Sequence, residues 1–320
     1  MSWFGAEVNG PLVLTRAIHF AASATTAGAV MFCVFVADPA LRQSRDGGAI
    51  LQSRMAALTW TGLAVTAVTG LVWFMLLTMS ITGLGSREAI TSGAVLTVAG
   101  DTQFGLVSEV RAAFALVLAA CLVLSRYVVL RWLGLAAASA LVGAIAWTGH
   151  AGSTLGELGI LHLTADVLHL LAASAWIGGL FGLSILFAVG RRRSAFGWEQ
   201  LQLDAVLRFS ALGMISIAVL ILSGIVNTWI LVGSFRALLV TDYGQLLLLK
   251  IVAFVLMVGF AAVNRFWLTP QITLTTRTKT HANALSALTR NTLIEIALGL
   301  AIFAIVGVLG TLHPAIHFMN

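Results

Sequence analysis

The chain has 320 residues, of which 59% are hydrophobic and 9% charged, and its mean hydropathy is +1.00. So few charges exclude a soluble globular domain and predict an all-α membrane protein that crosses the bilayer many times. The formal net charge of +6 then reads as basic loops on one membrane face and not as a nucleic-acid surface, and two cysteines without a CxxC exclude a disulfide framework.

In chain order, eight apolar runs reach the roughly 20 residues that span hydrocarbon. They lie at about 12–37, 57–80, 106–125, 131–149, 161–189, 206–233, 244–267 and 291–312. The first carries Arg16 and His19 and reads as a retained helix, not a cleaved signal peptide. The segments 38–56, 126–131, 190–208 and 265–290 hold 13 of the 18 basic residues. The positive-inside rule makes these loops cytoplasmic and puts both termini outside. Arg191–Arg193 reads as a topology anchor, with a lipid-headgroup site as the alternative. The outer segment 81–105, with Gly83, Gly85, Gly93 and Gly100, reads as a surface loop or lid.

An internal repeat underlies these runs. Placing His19 on His169 brings Gly28 onto Gly178, and placing Arg54 on Arg208 brings Gly70 onto Gly224. Phe104-Gly105 on Tyr243-Gly244 brings Arg111 onto Lys250 and Arg126 onto Arg265, and His150 falls on His313. The expected architecture is two parallel four-helix repeats, 1–153 and 154–320, about a pseudo-two-fold axis along the membrane normal, N-out and C-out. The small residues Gly28, Gly70, Gly178, Gly179 and Gly224 suit close helix approach. Trp73, Trp176 and Trp229 are candidates for interfacial anchors or for site walls.

Six of seven histidines map to the outer side: His19, His150, His162, His169, His313 and His317. Imidazole is a common ligand for copper, zinc and haem iron. The repeat pairs His19 with His169 and His150 with His313, so each half supplies two; His162 and His317 are unpaired and make the site asymmetric. His162, Asp166 and His169 share one helix face, with Trp176 seven residues on. Asp166 is placed to orient a ligating imidazole. The alternative for each histidine is a hydrogen bond at a helix interface and nothing more. His281, in a basic loop, is expected to be solvated. Met75 and Met79, with Cys33 and Cys121 lower down, form a candidate soft-metal path, or else ordinary membrane-helix filling. Arg16, Glu109, Arg111, Asp166, Lys250 and Glu295 lie inside apolar runs and must pair or face water. Arg16 and Asp166, equivalent and opposite in sign, are expected to meet across the axis. No hydrolase triad, phosphate loop or HExxH is present, so no hydrolytic enzyme is expected.

The run HLLAASAWIGGL at His169–Leu180 resembles the signature of the CopD/PcoD copper-resistance membrane proteins. So do RFS at Arg208–Ser210, SGIVNTW at Ser223–Trp229, YGQLLLLK at Tyr243–Lys250, and Asn264-Arg265. The resemblance is most specific over 161–267. It implies a bacterial inner-membrane protein that handles copper, moving it from periplasm to cytoplasm beside a periplasmic copper-binding donor. It carries His169 over by motif; His19, His150 and His313 come from the repeat alone. The chain lacks the Met-rich extramembrane segment of some members, which favours a soluble donor over metal storage. The expected ligand is a copper ion, the expected surroundings are membrane lipid, and a homo-oligomer is compatible with this reading. Haem b, bound between paired helices for electron transfer, is the alternative.

Overall fold

The computed structural model describes residues 10–43, 48–124, 127–191, 196–274 and 279–318. All regular secondary structure among the described residues is helical. Eight long helices carry the fold: α1 (Gly10–Phe32), α2 (Gly48–Thr82), α3 (Gln103–Val123), α4 (Val128–Gly143), α5 (Gly156–Gly190), α6 (Phe196–Val232), α7 (Asp242–Val263) and α8 (Lys279–Leu309). With their short extensions, these are eight spans long and apolar enough to cross a membrane. Several outrun the apolar cores expected from sequence, because amphipathic turns such as 48–56 and 198–205 continue the helix beyond the hydrocarbon.

Two helices form the centre. The apolar windows of α1 and α5 are 72% and 67% buried, against at most 39% for the other six. Burial of this kind follows from composition: α1 reads AASATTAGA and α5 reads AASAWIGG at the same depth. Small side chains let the backbones touch where lipid supplies no hydrophobic force. A Cβ on Gly178 would lie 2.4 Å from Gly28 Cα, and one on Gly28 would lie 1.9 Å from the Ser174 carbonyl oxygen. Around this crossing α2 packs on α1, α6 on α5, and α3–α4 and α7–α8 pair; α4 and α8 also touch both central helices.

Two π-helical turns interrupt the pattern, Cys33–Ala37 after α1 and Asn264–Leu268 after α7. Each is followed two residues on by a proline, Pro39 and Pro270. A proline has no N–H to donate and its ring crowds the carbonyl one turn back, so the preceding turn opens. Each turn leads into a six-residue helix, Asp38–Gln43 and Thr269–Leu274. The segment 81–105 is not an irregular loop. It folds into two short helices, Ser86–Thr91 and Ala94–Asp101, punctuated by Gly83 (φ 69°) and Gly93 (φ 80°) in the left-handed region that glycine tolerates. Asp38 and Arg131 form an ion pair at 2.8 Å between the α1 extension and α4.

Candidate functional site

Two histidines sit at equivalent places against neighbouring helices. His19 Nδ1 is 2.9 Å from the Thr69 hydroxyl, and His169 Nδ1 is 2.9 Å from the Ser223 hydroxyl. Each hydroxyl donates its single hydrogen to a carbonyl in its own helix, Thr69 to Val65 at 2.6 Å and Ser223 to Val219 at 2.6 Å. Each must therefore accept from the ring, which makes both histidines Nδ1–H tautomers with Nε2 as the lone pair. Gly70 and Gly224 follow the two hydroxyl residues. A Cβ there would lie 3.3 Å from His19 Cε1 and 3.7 Å from His169 Cε1, so glycine leaves room for the rings to lie along the helix.

The two lone pairs have different fates. His19 is 1% exposed, and its Nε2 accepts from Arg111 at 2.5 Å. Arg111, also buried, donates its Nε to the Leu141 carbonyl at 3.2 Å. Around them, Trp73 stands edge-on to His19 at 5.4 Å, and the Arg16 guanidinium lies 5.1 Å over the Trp73 ring. The space around His19 Nε2 is filled. His169 instead lines a cavity of about 840 Å³. His150, His162, Asp166, Lys250 and Arg16 line the same cavity. His162 repeats the tautomer device: its Nδ1 is 2.9 Å from the Thr154 hydroxyl, which donates to the His150 carbonyl at 3.0 Å. Asp166 accepts from Asn227 Nδ2 at 3.2 Å, and Lys250 is the cation that acts on both Asp166 and His169. The His150 and Tyr243 rings meet edge-on at 6.3 Å.

The cavity brings together His150, His162, His169, Asp166, Arg16 and Trp176. It does not include His19, Met75, Met79, Cys33 or Cys121. Arg16 and Asp166 share its wall, but the carboxylate accepts from Asn227 while the guanidinium stacks on aromatic rings. His313 is exposed beyond α8, and the side chain of His317 lies outside the described set. Cys33 falls in the first π turn, and Cys121 is buried against Gly134. Among the described residues no three His, Cys, Asp or Glu side chains converge closely enough to hold a metal ion. His281 is 9% exposed, buried and not solvated. Trp73 and Trp176 are inner walls at 2% exposure, whereas Trp229, which also lines the chamber, is 63% exposed.

A second, smaller cavity of about 170 Å³ lies at the other end of the bundle, with Trp176 shared between the two. Glu295, 1% exposed, accepts there from Asn264 Nδ2 at 2.7 Å, and Trp176 lines the same cavity. Asn264 Oδ1 accepts in turn from Asn291 at 2.8 Å. The sequence offered no sign of Thr69, Thr154 and Asn291, and it marked Ser223, Asn227 and Asn264 by motif without a role. Those marks are local: Ser223 and Asn227 lie in SGIVNTW, Lys250 closes YGQLLLLK, and Asn264 follows an unbroken apolar helix.

Eight membrane-length helices around a histidine-lined internal chamber define a multi-pass membrane protein. Residues 7–160 match the family model for the copper resistance protein D-like N-terminal domain, and residues 203–309 match that for copper resistance protein D. The chain is 30% identical over 171 residues to copper resistance protein D of Pseudomonas syringae pv. tomato, covering 53% of this chain and 55% of that protein. It is 32% identical over 170 residues to inner membrane protein YebZ of Escherichia coli (strain K12), with 53% and 55% covered. It is 34% identical over 121 residues to copper transport protein CutJ of Bacillus subtilis (strain 168), with 37% and 21% covered. The matches span about half the length of the first two relatives. No solved structure matches. The chain belongs to the copper resistance protein D family and is a multi-pass protein of the inner membrane.

Proposed function

We propose that this protein binds copper in the chamber lined by His150, His162 and His169 and passes it across the inner membrane toward the cytoplasm. The observation that carries the reading is the shared tautomer of His162 and His169. A hydroxyl holds each Nδ1–H, so each Nε2 is the donor left for a metal in the cavity both rings line. Asp166 supplies negative charge beside them. The likeness to the Bacillus copper transport protein supports transport over storage. Copper is cargo here, and a periplasmic copper-binding protein is its donor. His313, exposed at the same end, is placed to meet the incoming metal.

The same reading holds that the chain is two parallel four-helix repeats, 1–153 and 154–320, with both termini outside. Equivalent details support it. Thr102 and Thr241 both cap the helix that follows, accepting from Gly105 and Gly244. Both His–hydroxyl–Gly sets recur, and Gly28 meets Gly178 at the centre. In this frame His169 is open to metal and its counterpart His19 is not, because Arg111 occupies His19 Nε2.

The test is copper titration and liposome uptake with wild type and His169→Ala. The expected result is at least a tenfold loss of affinity and of uptake in the variant. Unchanged affinity in a folded His169→Ala protein overturns the site, and a strong Soret band with stoichiometric iron in the wild type would return haem b as the ligand.

A further inference from the structure

The inner cavity has no part in the copper site just described, and its chemistry differs. Its polar lining is oxygen-rich: Glu295, Ser210, Thr269 and Thr292, with Asn264 and Arg265. No imidazole or thiol lines it, and the single thioether of Met214 is its one soft donor, too few to seat copper, whereas its carboxyl suits a proton. Among the described residues Glu295 and Arg265 are its ionisable lining residues, although α5, α6, α7, α8 and the Thr269–Leu274 helix all contribute to it. The Arg265 guanidinium donates to the Ser210 hydroxyl and lies 5.9 Å from the Phe266 ring centre. From α1, which also packs on α8, the charged group is Arg16, and its guanidinium sits at Gly310 at the far end. On α6, Arg208 is paired with Asp204 at 2.8 Å. Arg290, on the same helix as Glu295, is exposed.

Glu295 therefore has one neutral donor, Asn264, with the Trp176 indole in the same cavity wall, and no ion pair among the described residues. This donor occupies one of the roughly four lone-pair sites of a carboxylate and leaves room for one hydrogen. An ionised carboxylate at this depth without a paired cation is costly, while a protonated one is not. Trp176, which lines the inner cavity with Glu295, is also a wall of the copper chamber.

We propose that Glu295 is a proton-exchange site that gates the inner end of the copper path. This rests on the transport reading above. At rest the carboxyl holds its proton. As a copper cation passes the Trp176 wall, the O–H gives its proton to water in the inner cavity, and the carboxylate balances the cargo's charge. When the cargo leaves, the carboxylate takes a proton back from the same water, so no proton is consumed.

Three readouts on full-length protein in liposomes test it, using cuprous ion as the probe and Glu295→Gln as the variant. Gln matches the size and keeps an acceptor oxygen, and a thermal melt checks its fold. The infrared difference spectrum of the wild type should contain a protonated-carboxyl C=O band that responds to pH. The band should be absent in Glu295→Gln and shifted in Trp176→Phe. Copper affinity of Glu295→Gln should match the wild type while uptake falls at least tenfold. Acidifying the liposome interior should slow wild-type uptake and leave the residual uptake of Glu295→Gln unaffected. A wild type without the band, a variant with normal uptake, or a variant that loses copper affinity would each overturn the proposal. The last would make Glu295 a copper ligand. Liposomes in which the wild type binds copper but takes none up would overturn the transport reading alone, and the infrared band would still decide whether Glu295 carries a proton.

Discussion

At the scale of single residues, one hydroxyl decides which ring nitrogen faces the chamber. Ser223 holds His169 by Nδ1, as Thr69 holds His19. Loss of such an outer partner typically costs 10–100-fold in metal affinity. Ser223→Ala is therefore expected to weaken copper binding by about tenfold or more. Thr69→Ala should leave it unchanged, because Arg111 already occupies His19 Nε2. Competitive copper titration of the two variants side by side reads the difference, and equal losses would disconnect the tautomer from binding. His169 itself was legible because it opens the HLLAASAWIGG run. The closure of His19 was not, because Arg111 is 92 residues away and nothing in the local pattern of either helix announces the contact. The expected Arg16–Asp166 pair failed for a similar reason. Alignment by repeat supplied their equivalence, but Asn227 from α6, and the rings of Phe20 and Trp73, supplied nearer partners.

Elements are joined where side chains vanish. At the α1–α5 crossing the atoms that a new Cβ would strike are backbone, which has no rotamer to give. Gly178→Ala should therefore separate the central helices and destabilise the protein by about 1–3 kcal/mol. Gly213→Ala is the matching control, with nothing within 4 Å of its new Cβ, and should be neutral or slightly stabilising. Thermal unfolding of both in one detergent checks the contrast. Apolar length made the eight spans legible, and the small residues marked close helix approach without showing that α1 and α5 form the centre. The π turns were not anticipated, although Pro39 and Pro270 stand at the same offset beyond each and supply the cause. The short helices at 86–101 escaped because glycine and serine dominate their flanks, and the helical content between them is only one or two turns.

Over the whole molecule the two central histidines share a partner geometry and differ in surroundings. His19 is packed among Phe20, Trp73 and Arg111, whereas His169 opens on a chamber lined from both ends of the sequence, by Arg16, Phe20 and His150 as well as by residues after 161. If copper binds as proposed, the expected content is one ion per chain and not two, measured by metal analysis on the purified protein. Two equivalent ions would mean that Arg111 yields to metal.

The Arg111 contact has a further consequence in the timing of synthesis. It ties His19 of α1 and the Leu141 carbonyl of α4 to α3, so it is complete within the first 141 residues. N-terminal segments emerge from the ribosome first and fold as units. The first four helices can thus close around a buried cation before α5 exists, with the Gly28 face of α1 left bare. The second half then inserts against a finished template, and the chamber is the last part of the protein to be enclosed.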